Sequence, residues 1–271
     1  NAVIEVYPEQ AELPESAFHQ GPFKGVPLFF KDIGATRAGR KQEMSSRLCR
    51  GNVAESDAFL TDRFLDAGFN LLGRTTCPEF AFSTATESLL NGPTRNPWDL
   101  SRSTGGSSGG SAASVAAGIL PITHASDGLG SIRIPSSSCG IVGLKPSRGR
   151  VTTGPDAAEA LMGMSTEFVV CRTMRDAAAA LDAVSTPGAG DPFIIVQPER
   201  PFSEEVGAPS KRLRIAYTTT PWYPFPVDPE IVEAVESVAR KCEEQGFIVE
   251  ENSPVYYHEE MMRACTTVWS V

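Results

Sequence analysis

The sequence predicts an α/β fold, a mixed and largely parallel sheet covered by helices, and three observations predict it. An apolar run over 25–33 (GVPLFFKDI) is followed by an amphipathic stretch over 57–67 (DAFLTDRFLDA) and then by a second apolar run over 69–73 (FNLLG). Strand, helix and strand in that order favour a right-handed parallel crossover. The alternation recurs further on, where SAASVAA (111–117) precedes an apolar run over 119–123. With 271 residues, 41% of them apolar, the chain can bury one large core, so a single domain over 1–271 is expected. Within it, 185–210, rich in Pro, Gly and acidic residues, reads as a surface excursion or linker. The chain opens inside an apolar run (AVIEVY) and stops inside a helical pattern (MMRACTTVWSV), so both ends read as cuts.

Taken in order, the first strand follows turn-prone HQGPFKG and carries Val26, Leu28, Phe29, Phe30 and Ile33. Lys31 interrupts this apolar run, although only six of the 24 basic residues are lysines. One reading buries the stem and leaves the ammonium in water; the other buries the amine itself. Ser56 is expected to cap the first long helix and Gly68 to close it. Residues 75–99 form a long polar and aromatic loop of the kind that lines a binding site. Its Phe80, Phe82 and Trp98 read equally as pocket walls and as core. Further on, Thr173 caps MRDAAAALDAV with Asp176 in the capping-box position, and RIAYTTT is a strand. Asp228 and Pro229 then start the helix EIVEAVESVARKCEEQ, Gly246 ends it, and FIVEE is a further strand.

Composition excludes several functions. Net charge is −9 and no Lys/Arg cluster could track a phosphate backbone, so nucleic acid is not an expected partner. No apolar run approaches the roughly 20 residues of a membrane span. Six cysteines are scattered with no CxxC and no His at ligand spacing, which predicts reduced thiols, a cytoplasmic protein and no metal.

The chemistry concentrates in 103–149, STGGSSGGSAASVAAGILPITHASDGLGSIRIPSSSCGIVGLKPSRG. A phosphate loop would need GxxxxGK, and no Lys follows these glycines. GGSSG and GSSGG both match the GxSxG elbow of α/β-hydrolases. That motif demands a strand before the serine, yet NPWDLSRS is none, and only His124 and His258 follow as bases. Lysine is the established substitute for histidine, and burial can lower its pKa by roughly 3–5 units. Lys31 has the surroundings for that shift.

GVPLFFKD, GGSSGGS and DGLGSIRIPSSSCGIVGLKP, in that order and at these distances, resemble the amidase signature family of serine hydrolases. Within the family, the NPWD, KPSRGRV and TGP pieces look most like bacterial amidases of the 6-aminohexanoate cyclic-dimer hydrolase type. The resemblance implies a catalytic lysine at Lys31, a bridging serine on a cis peptide at Ser107 and a nucleophile at Ser131. It also implies an oxyanion hole from the backbone of Gly128, Leu129 and Gly130, joined by the N–H of Ser131. Leu129 departs from the family pattern, which usually has glycine there; leucine would be strained if the position needs positive φ. Asp127 and Arg133 are expected to pair and hold the turn, Ser108 and Ser111 to act as loop and cap hydroxyls, and His124 to be a hydrogen-bonded structural residue rather than a base.

The implied function is hydrolysis of a linear or cyclic carboxamide through a Ser-Ser-Lys triad and an acyl-enzyme, without metal or organic cofactor. The partner is a small-molecule amide, and a homodimer stays open. The alternatives are an amidotransferase-like glutaminase working in a complex, and an inactive binding-only member or fragment. Family members have a longer catalytic domain, so the C-terminal part of the fold is expected to be missing here.

Overall fold

The computed structural model describes residues 1–193, 195–208, 211–223 and 225–270 and divides into two compact units, Asn1–Val206 and Gly207–Val271. The division falls within the 185–210 segment expected to be an excursion or linker, of which Ile194, Pro209 and Ser210 lie outside the described residues.

The first unit opens with strand β1 (Val3–Val6) and a short helix α1 (Pro8–Ala11). Strand β2 (Pro27–Lys31), helix α2 (Phe59–Asp66) and strand β3 (Asn70–Thr75) then form the expected crossover. β2 and β3 pair in parallel, with Pro27 opposite Asn70 and Lys31 opposite Thr75, while β1 runs antiparallel on the other edge of β3. Ser56 does not cap α2: Ala58 occupies the N-cap without a side-chain bond, and Ser56 Oγ lies 3.4 Å from Asp156 Oδ2 instead. Gly68 closes the helix at φ +95°, where a Cβ would sit 2.7 Å from the Lys24 backbone.

The 75–99 loop carries a small hairpin, β4 (Glu87–Ser88) with β5 (Gly92–Pro93). Helix α3 (Gly109–Ala116), strand β6 (Ile122–Asp127), helix α4 (Arg133–Cys139) and strands β7 (Val142–Gly143) and β8 (Thr166–Cys171) follow. β6, β8 and β7 make a second sheet in that order, all antiparallel, and β8 has no counterpart in the sequence reading. The pairing is therefore mixed as expected, but among the described residues antiparallel ladders outnumber the parallel ones expected to dominate. Helix α5 (Met174–Val184) is capped as predicted, Thr173 Oγ1 accepting the Asp176 N–H at 3.2 Å, and a short helix α6 (Phe202–Glu205) completes the unit. Its core joins Leu28, Phe30, Phe64, Ile122, Phe168 and Leu181.

The second unit is smaller. β9 (Arg214–Tyr217), α7 (Pro229–Glu244) and β10 (Ile248–Glu251) form another parallel strand–helix–strand unit, followed by α8 (His258–Trp269). Asp228 caps α7 by accepting the Glu230 N–H at 2.9 Å. All six cysteines are free, three of them buried, and no helix among the described residues is long and apolar enough to cross a membrane.

Candidate active site

β2 buries Leu28, Phe29 and Phe30 and ends on Lys31, whose side chain is 1% exposed. Of the two readings of this lysine, the structure selects burial of the amine itself. Its Nζ lies 2.7 Å from Ser107 Oγ and 2.8 Å from Ser126 Oγ, with no ion pair to a carboxylate among the described residues. Burial lowers the pKa of this amine against the pull of Cys77, Glu167 and Asp127. Of these three, the Cys77 thiol is itself pushed up to about 11 by burial and is neutral at neutral pH.

The Gly/Ser loop that delivers Ser107 is packed rather than flexible. A Cβ on Gly109 would stand 2.2 Å from Thr86 Oγ1, and one on Gly110 would stand 2.4 Å from Thr76 Oγ1. Thr86 Oγ1 also donates to the Gly105 carbonyl and accepts the Gly109 N–H, so the 75–99 loop does border the site. The Gly106–Ser107 peptide is cis. Ser108 sits at the N-cap of α3 but makes no capping bond; its hydroxyl donates to the Ser126 carbonyl at 3.1 Å and accepts the Ser126 N–H at 3.3 Å. Ser111 likewise turns inward, donating to the His124 carbonyl at 2.7 Å.

Ser131 lies after Gly130 (φ +123°) and just before α4. Its carbonyl accepts the Ser108 N–H at 3.2 Å, tying the turn to the Gly/Ser loop, and its half-buried hydroxyl makes no hydrogen bond among the described residues. Asp127 organises this turn: its carboxylate accepts from the N–H groups of Gly130 (2.6 Å) and Ile132 (3.2 Å) and pairs in bidentate fashion with Arg133. Burial alone would raise its pKa, but these donors hold it below the usual aspartate value. Of the expected oxyanion donors, the Gly130 N–H is thus engaged by Asp127, whereas those of Gly128, Leu129 and Ser131 have no acceptor among the described residues. Leu129 does not adopt positive φ, so leucine there is unstrained, and its side chain is exposed.

Ser126 is a site residue that sequence reasoning missed, since a serine at the end of a strand carries no distinguishing pattern. Phe82 and Trp98 are exposed rather than core, and Trp98 Nε1 donates to the Cys139 carbonyl at 2.8 Å. Among the described residues, no cluster of three or more His, Cys, Asp or Glu is placed to hold a metal ion.

A family model described as Amidase matches residues 2–271. The chain is 40% identical over 259 residues to the 6-aminohexanoate-cyclic-dimer hydrolase of Paenarthrobacter ureafaciens, covering 94% of this chain and 52% of that protein. It is 36% identical over 266 residues to an acylamidase of Rhodococcus erythropolis, covering 94% and 54%. Among solved structures, a 6-aminohexanoate cyclic dimer hydrolase complexed with substrate superposes with a TM-score of 0.87 at 40% identity, covering 94% of this chain and 54% of that one. The chain spans about half the length of the curated relatives it matches.

Proposed function

The chain belongs to the amidase family, and on that footing we propose that it hydrolyses a carboxamide C–N bond through Ser131, Ser107 and Lys31. Neutral Lys31 takes the Ser107 hydroxyl proton as Ser107 takes that of Ser131, and Ser131 Oγ bonds to the amide carbon. The carbonyl π pair moves onto oxygen, facing the unengaged N–H groups of the 128–131 turn. As this intermediate collapses, the C–N bond breaks, the proton returns along the relay to the leaving nitrogen, and an ester on Ser131 remains. Water then adds to the ester with the same base, the Ser131–carbon bond breaks, and a carboxylic acid leaves.

The observation that carries this reading is the contact of Lys31 Nζ with Ser107 Oγ at 2.7 Å in a site where burial favours the uncharged amine. No hydrogen bond spans the step from Ser107 to Ser131 in the free protein, and catalytic hydrogen bonds commonly tighten only when substrate binds. The substrate class we assign is a linear or cyclic amide, in keeping with the relative named for a cyclic dimer.

A fluorophosphonate label tests the roles. It is expected to modify the wild type and to fail on Ser131→Ala. Labelling that survives in Ser131→Ala and disappears in Ser107→Ala would transfer the nucleophile to Ser107 and end the proposed relay. Turnover of a panel of aliphatic, aromatic and cyclic amides, read by amine release, then defines the substrate.

A further inference from the structure

Lys31 is held at both ends by one face of β6. His124 and Ser126, two residues apart on that strand, point the same way. Ser126 Oγ meets the lysine amine at 2.8 Å, while His124 Nδ1 accepts the Lys31 backbone N–H at 3.2 Å. β2 and β6 belong to different sheets and share no backbone ladder among the described residues, so the imidazole supplies a cross-connection that a ladder would otherwise give.

Because Nδ1 accepts, the ring proton sits on Nε2, and it is donated to Glu167 Oε2 at 2.6 Å. Glu167 lies on β8 directly opposite Ser126, so all three side chains share one face of the second sheet. The ring is fully buried, packed against Phe30 at 5.2 Å and Phe64 at 6.2 Å between centroids. The turn after Lys31 presses on the same carboxylate: a Cβ on Gly34 would lie 2.3 Å from Glu167 Oε2.

We propose that His124 and Glu167 are a positioning pair for the catalytic lysine. Glu167 fixes the tautomer of the ring, the ring fixes the Lys31 backbone, and the amine is thereby set between Ser107 and Ser126. Neither residue touches the reacting atoms. The proposal rests on Lys31 being the base of the relay. A carboxylate that orients an imidazole is a device familiar from catalytic and metal sites, here aimed at the backbone of the base.

The test compares His124→Leu, His124→Asn and His124→Gln in the full chain, measuring the maximal rate of fluorophosphonate acylation and the half-saturating probe concentration separately. Asn places its carbonyl oxygen near the Nδ1 position, whereas the extra methylene of Gln carries its amide past it. His124→Leu is expected to lower the maximal rate on the order of 10²-fold, the cost of a misplaced catalytic group, with the half-saturating concentration little changed. His124→Asn is expected to restore most of that loss and to exceed His124→Gln. A folded His124→Leu acylated at the wild-type rate overturns the proposal. If that variant does not fold, Asn and Gln variants of equal rate overturn it instead. Ser131→Ala and Lys31→Ala are run beside them: labelling that persists in both removes the relay itself, which is distinct from an effect missing only at position 124.

Discussion

Two buried basic side chains stand on adjacent strands of the first sheet, and the fold treats them in opposite ways. Arg74 on β3, 4% exposed, pairs in register with Phe30, one residue before Lys31. Its guanidinium meets three carboxylates: Glu5 at 2.7 Å, Glu43 at 3.2 Å and the fully buried Asp32. Burial works against this charge, but Asp32 and Glu5 outweigh it and raise the arginine above its ordinary value. Lys31 is buried at least as deeply and, among the described residues, meets two hydroxyls and no carboxylate. The acid next to it in sequence, Asp32, is turned away to accept from Arg74 and from the N–H groups of Glu43 and Ser45. Burial alone does not make a base. What distinguishes the two sites is where the nearest carboxylate points, and a buried charge without a partner gives up its proton.

The sharpest way to break this contrast is to make the second site permanently cationic. Lys31→Arg keeps a long basic side chain but cannot deprotonate at working pH. Acylation by a fluorophosphonate is expected to fall about 10³-fold, within the range of a lost general base. Activity within tenfold of wild type would show that the amine acts as a cation and that its resemblance to Arg74 outweighs the difference. The converse change removes the charge from the first site. Arg74→Leu leaves Asp32 buried beside Glu43 and Glu5 without its cation, and is expected to cost about 3–5 kcal/mol in denaturant unfolding. A loss below about 1 kcal/mol would mean that Asp32 is held by the backbone donors at Glu43 and Ser45 rather than by arginine.

The same contrast explains what was legible in the sequence. Lys31 stands out as a lysine in an apolar strand, whereas Ser107 and Ser131 were singled out by the resemblance of GGSSGGS and DGLGSIRIP to the family's motifs. The structure places Lys31 Nζ 2.7 Å from Ser107 Oγ. Ser126, His124 and Glu167 were not legible as site residues, because their roles are set by register between strands distant in sequence. β8 was missed for a related reason: TEFVVC is buried throughout, so its glutamate breaks the apolar run without giving the alternation of a half-buried strand. Local capping logic failed where a tertiary partner competed, at Ser56 with Asp156 and at Ser108 with the Ser126 backbone, and held at Thr173 and Asp228, whose capping partners are local.

The smallest effect separates the two basic side chains most cleanly, because it is read as a slope rather than as a loss. Burial places the folded-state pKa of Lys31 below the ordinary lysine value of 10.5. Between those two values the unfolded chain binds a proton at this residue that the folded chain does not, so this residue makes stability rise with pH across that window. Below the folded pKa both states are protonated and the destabilisation is complete; above 10.5 both are neutral and it vanishes. Lys31→Met removes the titration while filling similar volume, and it also deletes two hydroxyl–amine hydrogen bonds, a pH-independent offset of about 1 kcal/mol each. The melting temperature of the variant minus that of wild type is therefore expected to decline as pH rises from the folded-state value towards 10.5, whatever its absolute sign. Other groups that titrate in this range are common to both proteins and cancel in the difference. A difference that stays flat over the same interval would show that Lys31 keeps its proton in the folded state, as Arg74 keeps its charge, and that the second site is only a weaker version of the first.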